Sequence, residues 1–184
     1  MKRLFFAFLF AGFIFSASAQ DVNDFEYSVN SNNITITGYK GKLKEVTIPK
    51  NINGMPVTAI GASAFLRKRL TSLVLPDTLT TIEDYAFSYN NLSVLTLPDS
   101  VVYIGLKTFS NNRLTSLTLS NSLSHIGMFA FSDNRLKTMN LVYSLTYIGD
   151  GAFIRNYLDS VSVPKSIKNF NSMAFDSYVK VSWY

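Results

Sequence analysis

His125 is the one histidine of the chain, and the residues 22 positions before and after it are Tyr103 and Tyr147. An imidazole titrating near neutrality is well suited to general acid–base work. A nucleophilic triad needs a hydroxyl and a carboxylate converging on it as well. Ser124 is adjacent, but no acid recurs at a spacing that would bring one to His125. A zinc site needs three or four nitrogen or sulfur ligands, which one histidine and no cysteine do not supply. Asp77 and Asp99 are spaced like paired carboxylates, yet each follows a proline, in a turn where aspartate bonds local backbone. The chemistry-bearing residues therefore point to a non-catalytic protein with no cofactor and no metal, and toward binding.

Two columns of side chains could bind. Tyr103, His125 and Tyr147 would stack on consecutive repeats, where a row of rings can hold sugars or a partner's apolar groups. The same rings could simply stack on one another and cover the residues beneath. The second column is Lys42, Arg69, Arg113 and Arg135, interrupted by Asn91 and ended by Tyr157, with Arg67, Lys68 and Arg155 nearby. Such an edge could attract sulfated or sialylated glycans, or acidic protein surfaces. It could equally keep the edge soluble and unpaired.

The elements that must position these residues are repeats. Segments starting at Leu70, Leu92, Leu114, Leu136 and Leu158 are 22 residues apart and share one apolar skeleton. The columns include Leu73, Leu95, Leu117, Met139 and Val161; Ile82, Ile104, Ile126, Ile148 and Phe170; and Phe87, Phe109, Phe131, Phe153 and Phe175. A unit this short cannot bury its own apolar edge, so the pattern predicts a repeat solenoid of stacked coils. The Leu-x-x-Leu-x-Leu segments predict a parallel sheet, with Pro49, Pro76, Pro98 and Pro164 stopping strands. Asn90, Asn112, Asn134 and Asn156 are placed to bond loop backbone in their own or a neighbouring coil. Gly61, Gly105, Gly127 and Gly149 suit a backbone that needs positive φ or close approach. An earlier, degenerate unit runs 27 residues from Leu43 to Leu70, and its extra residues, between Asn51 and Val57, are expected in a loop outside the core.

The ends differ from the repeats. Residues 1–19 read as a secretory signal peptide: Lys2 and Arg3, an apolar run from Leu4 to Phe15, then Ala17-Ser18-Ala19. No second apolar run is long enough to span a membrane after cleavage. Residues 20–41 alternate around Asn30-Ser31-Asn32-Asn33 and predict a capping β-hairpin, followed by about six coils over 42–176 and a short capping strand over 177–184 that carries the single tryptophan. Without Lys2 and Arg3 the 17 basic residues become 15, against 12 acidic ones, too mild an excess for a nucleic-acid partner. Asp77-Thr78-Leu79 and Asp99-Ser100-Val101 match a three-residue acceptor pattern of some bacterial O-glycosylation, short enough to arise by chance.

The unit L-x-x-L-x-L-P-x-x-L-x-x-I-G-x-x-A-F, read from Leu92 to Phe109 with Thr108 in the alanine place, resembles the BspA-like bacterial surface leucine-rich repeats. Ile34-Thr35-Ile36-Thr37-Gly38-Tyr39, Val46-Thr47-Ile48-Pro49, Asn53-Gly54-Met55-Pro56-Val57 and Ile60-Gly61 resemble that family's N-terminal cap and first unit. The resemblance implies an exported, secreted or surface-bound protein that adheres to host matrix proteins, host receptors or other bacteria, and it brings no catalytic residue. The expectation is thus an adhesin-type leucine-rich-repeat module engaging a protein or glycan. The alternative is a structural spacer or self-associating component without an external ligand.

Overall fold

The computed structural model describes residues 21–168 and 170–184, so the expected signal peptide, residues 1–19, lies outside the described residues. The chain forms β1 (Phe25–Asn30), β2 (Asn33–Tyr39), β3 (Glu45–Thr47), β4 (Asn51–Ile52), β5 (Met55–Ile60), β6 (Ser72–Val74) and β7 (Thr81–Ile82). There follow β8 (Val94–Thr96), β9 (Tyr103–Ile104), β10 (Ser116–Thr118), β11 (His125–Ile126), β12 (Tyr147–Ile148), β13 (Ser160–Val163) and β14 (Lys180–Trp183). Among the described residues there is no α-helix, only 3-10 turns at Val22–Asp24 and Ser172–Ala174.

These short strands are rungs of a coil repeated along one axis. A stacked parallel sheet is present, but its longest ladder does not run through the leucine-led segments. It passes from the hairpin β1-β2 through β5, β7, β9, β11 and β12, in register at Ile60, Ile82, Ile104, Ile126 and Ile148. The leucine-led segments pair only two at a time, as β3 with β6, β8 with β10 and β13 with β14. Thr138–Asn140 makes no strand at all. The leucine side chains turn inward either way, because burial of that column and not its strand pairing is what the repeat specifies.

Between the two strand columns the chain rounds two corners and inserts an alanine and a phenylalanine. Phe65, Phe87, Phe109, Phe131, Phe153 and Phe175 form a continuous buried spine, with ring centroids 4.9 to 5.5 Å apart and planes within 15° of parallel. Tyr39 stacks on Phe65 at 5.3 Å and Phe25 closes against both, so the hairpin caps the spine's first ring. The hairpin turns at Ser31 and Asn32, both at positive φ, as a two-residue turn between twisted strands requires.

Each asparagine of the column is buried and ties two coils together. The Asn112 Oδ1 accepts from the Leu92 N–H at 3.1 Å, while its Nδ2 donates to the carbonyls of Phe87 at 3.0 Å and Phe109 at 3.1 Å. Asn90, Asn134 and Asn156 repeat the pattern. One side chain thereby satisfies three backbone groups that a corner leaves without partners.

The glycine column serves close approach. A Cβ on Gly127 would lie 2.5 Å from the Gly105 carbonyl carbon, and one on Gly149 would lie 2.5 Å from the Met128 nitrogen. Within the coils the positive φ angles fall instead on two columns that hold few glycines, Ser63, Tyr85, Lys107, Phe129 and Gly151, then Arg67, Tyr89, Asn111, Asp133 and Arg155, with Arg69 outside both.

The extra residues of the early unit are a correction to the sequence reading. They fold as the hairpin β4-β5, turning at Asn53 and Gly54 with φ of 51° and 78°, and they send Ile52 and Val57 into the core. The cause is the Asn-Gly pair, which favours a tight hairpin turn and flips alternate residues to the buried side. At the far end β14 lies parallel to β13, with Val181 opposite Val161, and Trp183 meets Phe170 edge-on at 5.1 Å.

Candidate binding surface

Tyr103, His125 and Tyr147 stand side by side because β9, β11 and β12 pair in register there. The Tyr103 and His125 rings are 4.7 Å apart and 15° from parallel; His125 and Tyr147 are 4.4 Å apart and 11° from parallel. The imidazole is thus sandwiched, and the two inner tyrosine faces are covered by it. What the column presents outward is ring edges, hydroxyls and imidazole nitrogens, and its flat faces are spent on self-stacking. A sugar ring lying flat across all three would have no face to lie on. Burial between the tyrosines holds the His125 pKa below its ordinary value of 6.5. Among the described residues no side-chain hydrogen bond joins His125 to a serine or a carboxylate, and Ser124 donates instead to the Val102 carbonyl at 3.1 Å.

Arg113 and Arg135 lie on adjacent rungs, their backbone N–H groups donating to Leu92 and Leu114 in matching register. Arg69 lies further along the same edge, beyond the rung of Asn91, whose N–H donates to Leu70. All three arginines are exposed, and none forms an ion pair among the described residues. Arg67 and Arg155 do not join them. Arg67 lies over the Tyr89 ring at 4.9 Å, and Arg155 pairs with Asp133 at 3.2 Å.

Beside the arginine edge runs a face without charge, formed by Ser72, Val74, Val94, Thr96, Ser116, Thr118, Thr138, Asn140, Ser160 and Ser162. Two shallow grooves open on it, one of about 360 Å³ beside Val74 and Pro98 and one of about 510 Å³ between Thr138, Ser162 and Tyr184. Sequence reasoning noted these small side chains as outward columns without marking the face as a site; the absence of charge over ten positions was the available signal.

The aspartates are structural. Asp77 pairs with Lys50 at 2.8 Å, and Asp99 accepts from the Asn121 N–H of the next coil at 3.0 Å. The hydroxyls of the acceptor-like triplets are not presented to solvent: Thr78 donates to the Val57 carbonyl at 2.8 Å, and the Ser100 Oγ is buried. No helix among the described residues is long and apolar enough to cross a membrane.

Coils of 22 residues, a buried leucine column, an asparagine under each corner and a phenylalanine spine define a leucine-rich-repeat solenoid. Six copies of the BspA type leucine-rich repeat match residues 58–182, and the chain belongs to that family. A leucine-rich repeat protein from Bacteroides ovatus is similar in fold, with a TM-score of 0.71 at 24% identity over 88% of this chain and 52% of that one. The leucine-rich repeat protein of T. pallidum is similar with a TM-score of 0.51 at 22% identity, over 88% of this chain and 84% of that one. The chain therefore spans about half the length of the Bacteroides ovatus protein. At these identities the likeness is one of fold. The chain has no match among curated proteins. Leucine-rich-repeat solenoids typically serve as non-catalytic scaffolds that bind proteins.

Proposed function

We propose that this protein is an exported, secreted or cell-surface binding module of adhesin type, which engages a host or bacterial protein or glycan through its solenoid surface without catalysis. The observation that carries the reading is the arginine edge, where Arg113 and Arg135 stand exposed on neighbouring rungs with no acidic partner among the described residues, beside a broad uncharged face. Guanidinium groups left unpaired in this way favour carboxylate, sulfate or sialate groups on a partner. The leader-like pattern of residues 1–19 supports export.

The test is an array of host matrix proteins with neutral and anionic glycans, probed at low and at physiological salt. Saturable binding that weakens with salt, and falls about tenfold in the variant Arg69→Ser/Arg113→Ser/Arg135→Ser, supports the reading. Binding unchanged by that variant removes the arginines from the site. A second reading, self-association without an external ligand, is favoured by the exposed Met173, Tyr178 and Trp183 of the last coil. Loss of monomer on sizing without any added partner would select it.

A further inference from the structure

The corners of the solenoid carry bulky side chains where the backbone least suits them. Tyr85, Lys107 and Phe129 occupy one left-handed column at φ of 58°, 51° and 56°, and Tyr89 occupies the other at 57°. A residue with a Cβ costs about 1–2 kcal/mol in that conformation, which glycine avoids and asparagine tolerates. Gly151 and Asn111 in the same columns show that the turn itself accepts the cheaper residues. The corners lie outside the phenylalanine spine, and of these residues Phe129 packs its ring against Gly151 of the next coil, in the space that a Cβ there would fill. Strain held at adjacent coils in this way points to a site.

These side chains surround one cavity of about 240 Å³, bounded also by Asp133 and Arg155. Lys107 sits over the Tyr85 ring at 5.9 Å and over the Phe129 ring at 5.5 Å, and it makes no ion pair among the described residues. Arg155 is held at the rim by Asp133. Tyr89 is 49% exposed and lines the cavity, with Arg67 over one of its faces. The lining thus combines an aromatic platform with two cations and one acid, a net positive charge. Pockets for drug-sized ligands run about 300–1,000 Å³, so this one is sized for a single ring.

We propose that this corner cavity is a subsite for a carboxylated sugar. The ring packs its C–H face on Tyr89, the carboxylate meets Lys107 and Arg155, and Asn111 and Asp133 bond the hydroxyls. An ammonium ligand is disfavoured because it would displace Lys107 against a second cation. The site goes beyond the arginine edge and uses none of it.

The experiment is a titration of the nitrogen-15-labelled protein, followed by NMR, with sialyllactose, trigalacturonate and lactose into the millimolar range. The expected result is a saturable shift of amides in residues 85–89, 107–111 and 129–133 with sialyllactose, trigalacturonate or both, and none with lactose. Whichever acid binds identifies the source of the carboxylate. Lys107→Ala and Tyr89→Asn should each weaken binding about tenfold, and asparagine at 89 keeps the left-handed turn should the lysine variant fold poorly. The arginine-edge variant should bind the acidic sugar unchanged, which separates this site from the one proposed above. No saturable shift with either acid, equal shifts with lactose, or loss of binding in the arginine-edge variant alone would overturn the proposal.

Discussion

His125 shows how a residue that could do chemistry is spent on packing. Its ring lies between two tyrosines, and burial favours the neutral form, so the folded pKa lies below the ordinary 6.5. The unfolded chain then takes up a proton that the folded one resists. This contribution to stability is complete above pH 6.5 and is lost as the pH falls through 6.5 toward the lower folded value. Chemical denaturation at pH 7.5 and at pH 5 should show lower stability in acid, and His125→Phe, which keeps the stack, should remove part of that slope. An unchanged slope would mean that the carboxylates carry it. The column itself was legible from spacing, since residues 22 apart must be neighbours in a coil. The orientation of its rings was not, because spacing fixes which residues meet and says nothing of face against edge.

Among elements, the corner after each isoleucine shows where a local rule can be read two ways. Glycine at a fixed place suits either a positive φ or a close contact, and only the stacking distance decides. A Cβ on Gly127 would meet Gly105 backbone at 2.5 and 2.6 Å and the Leu106 nitrogen at 2.8 Å, all from the coil below. Because those atoms belong to the paired ladder, they cannot swing aside. Gly127→Ala should cost about 3 kcal/mol in urea denaturation, and a cost below 1 kcal/mol would show that the rungs can separate locally. The left-handed positions escaped the sequence reading for a related reason: Tyr85, Tyr89 and Phe129 are residues that turn chemistry would not choose, and nothing in their types announces the conformation. Asparagine was the clearer signal, since a buried amide at one place per coil has few roles other than the backbone bonds that Asn112 makes.

For the whole molecule, each coil's partners are the coil before and the coil after, so stability is a chain of neighbour terms rather than a single shared core. Asn112→Ala removes three backbone partners in the middle of the stack and should lower global stability by about 3–5 kcal/mol. Asn156→Ala removes the same kind of bonds near one end. Hydrogen exchange should then show lost protection confined to residues from Leu136 onward, beginning with the Leu136 amide that Asn156 accepts from, with the coils from the hairpin to Phe131 still protected. Equal loss of protection everywhere would mean that the solenoid unfolds as one unit. The existence and number of coils were legible because burial repeats with the sequence. The route of the long sheet ladder was not, since both strand columns alternate alike and the choice between them depends on how closely two corners draw neighbouring rungs together.

The even spacing of the phenylalanine rings has a consequence for how such a chain can change its length over generations. Every interior coil offers its neighbours nearly the same upper and lower surface, so joining Asn91 to Leu114 would set Phe87 over Phe131 much as it now sits over Phe109. A gene for this protein can therefore lose or duplicate a segment of 22 codons by unequal crossing-over and still encode a chain that closes. Each such event would shorten or lengthen the arginine edge by about 5 Å, and the loss of residues 92–113 would take Arg113 from that edge and Lys107 and Asn111 from the corner cavity together, while the packing between coils stays as it was.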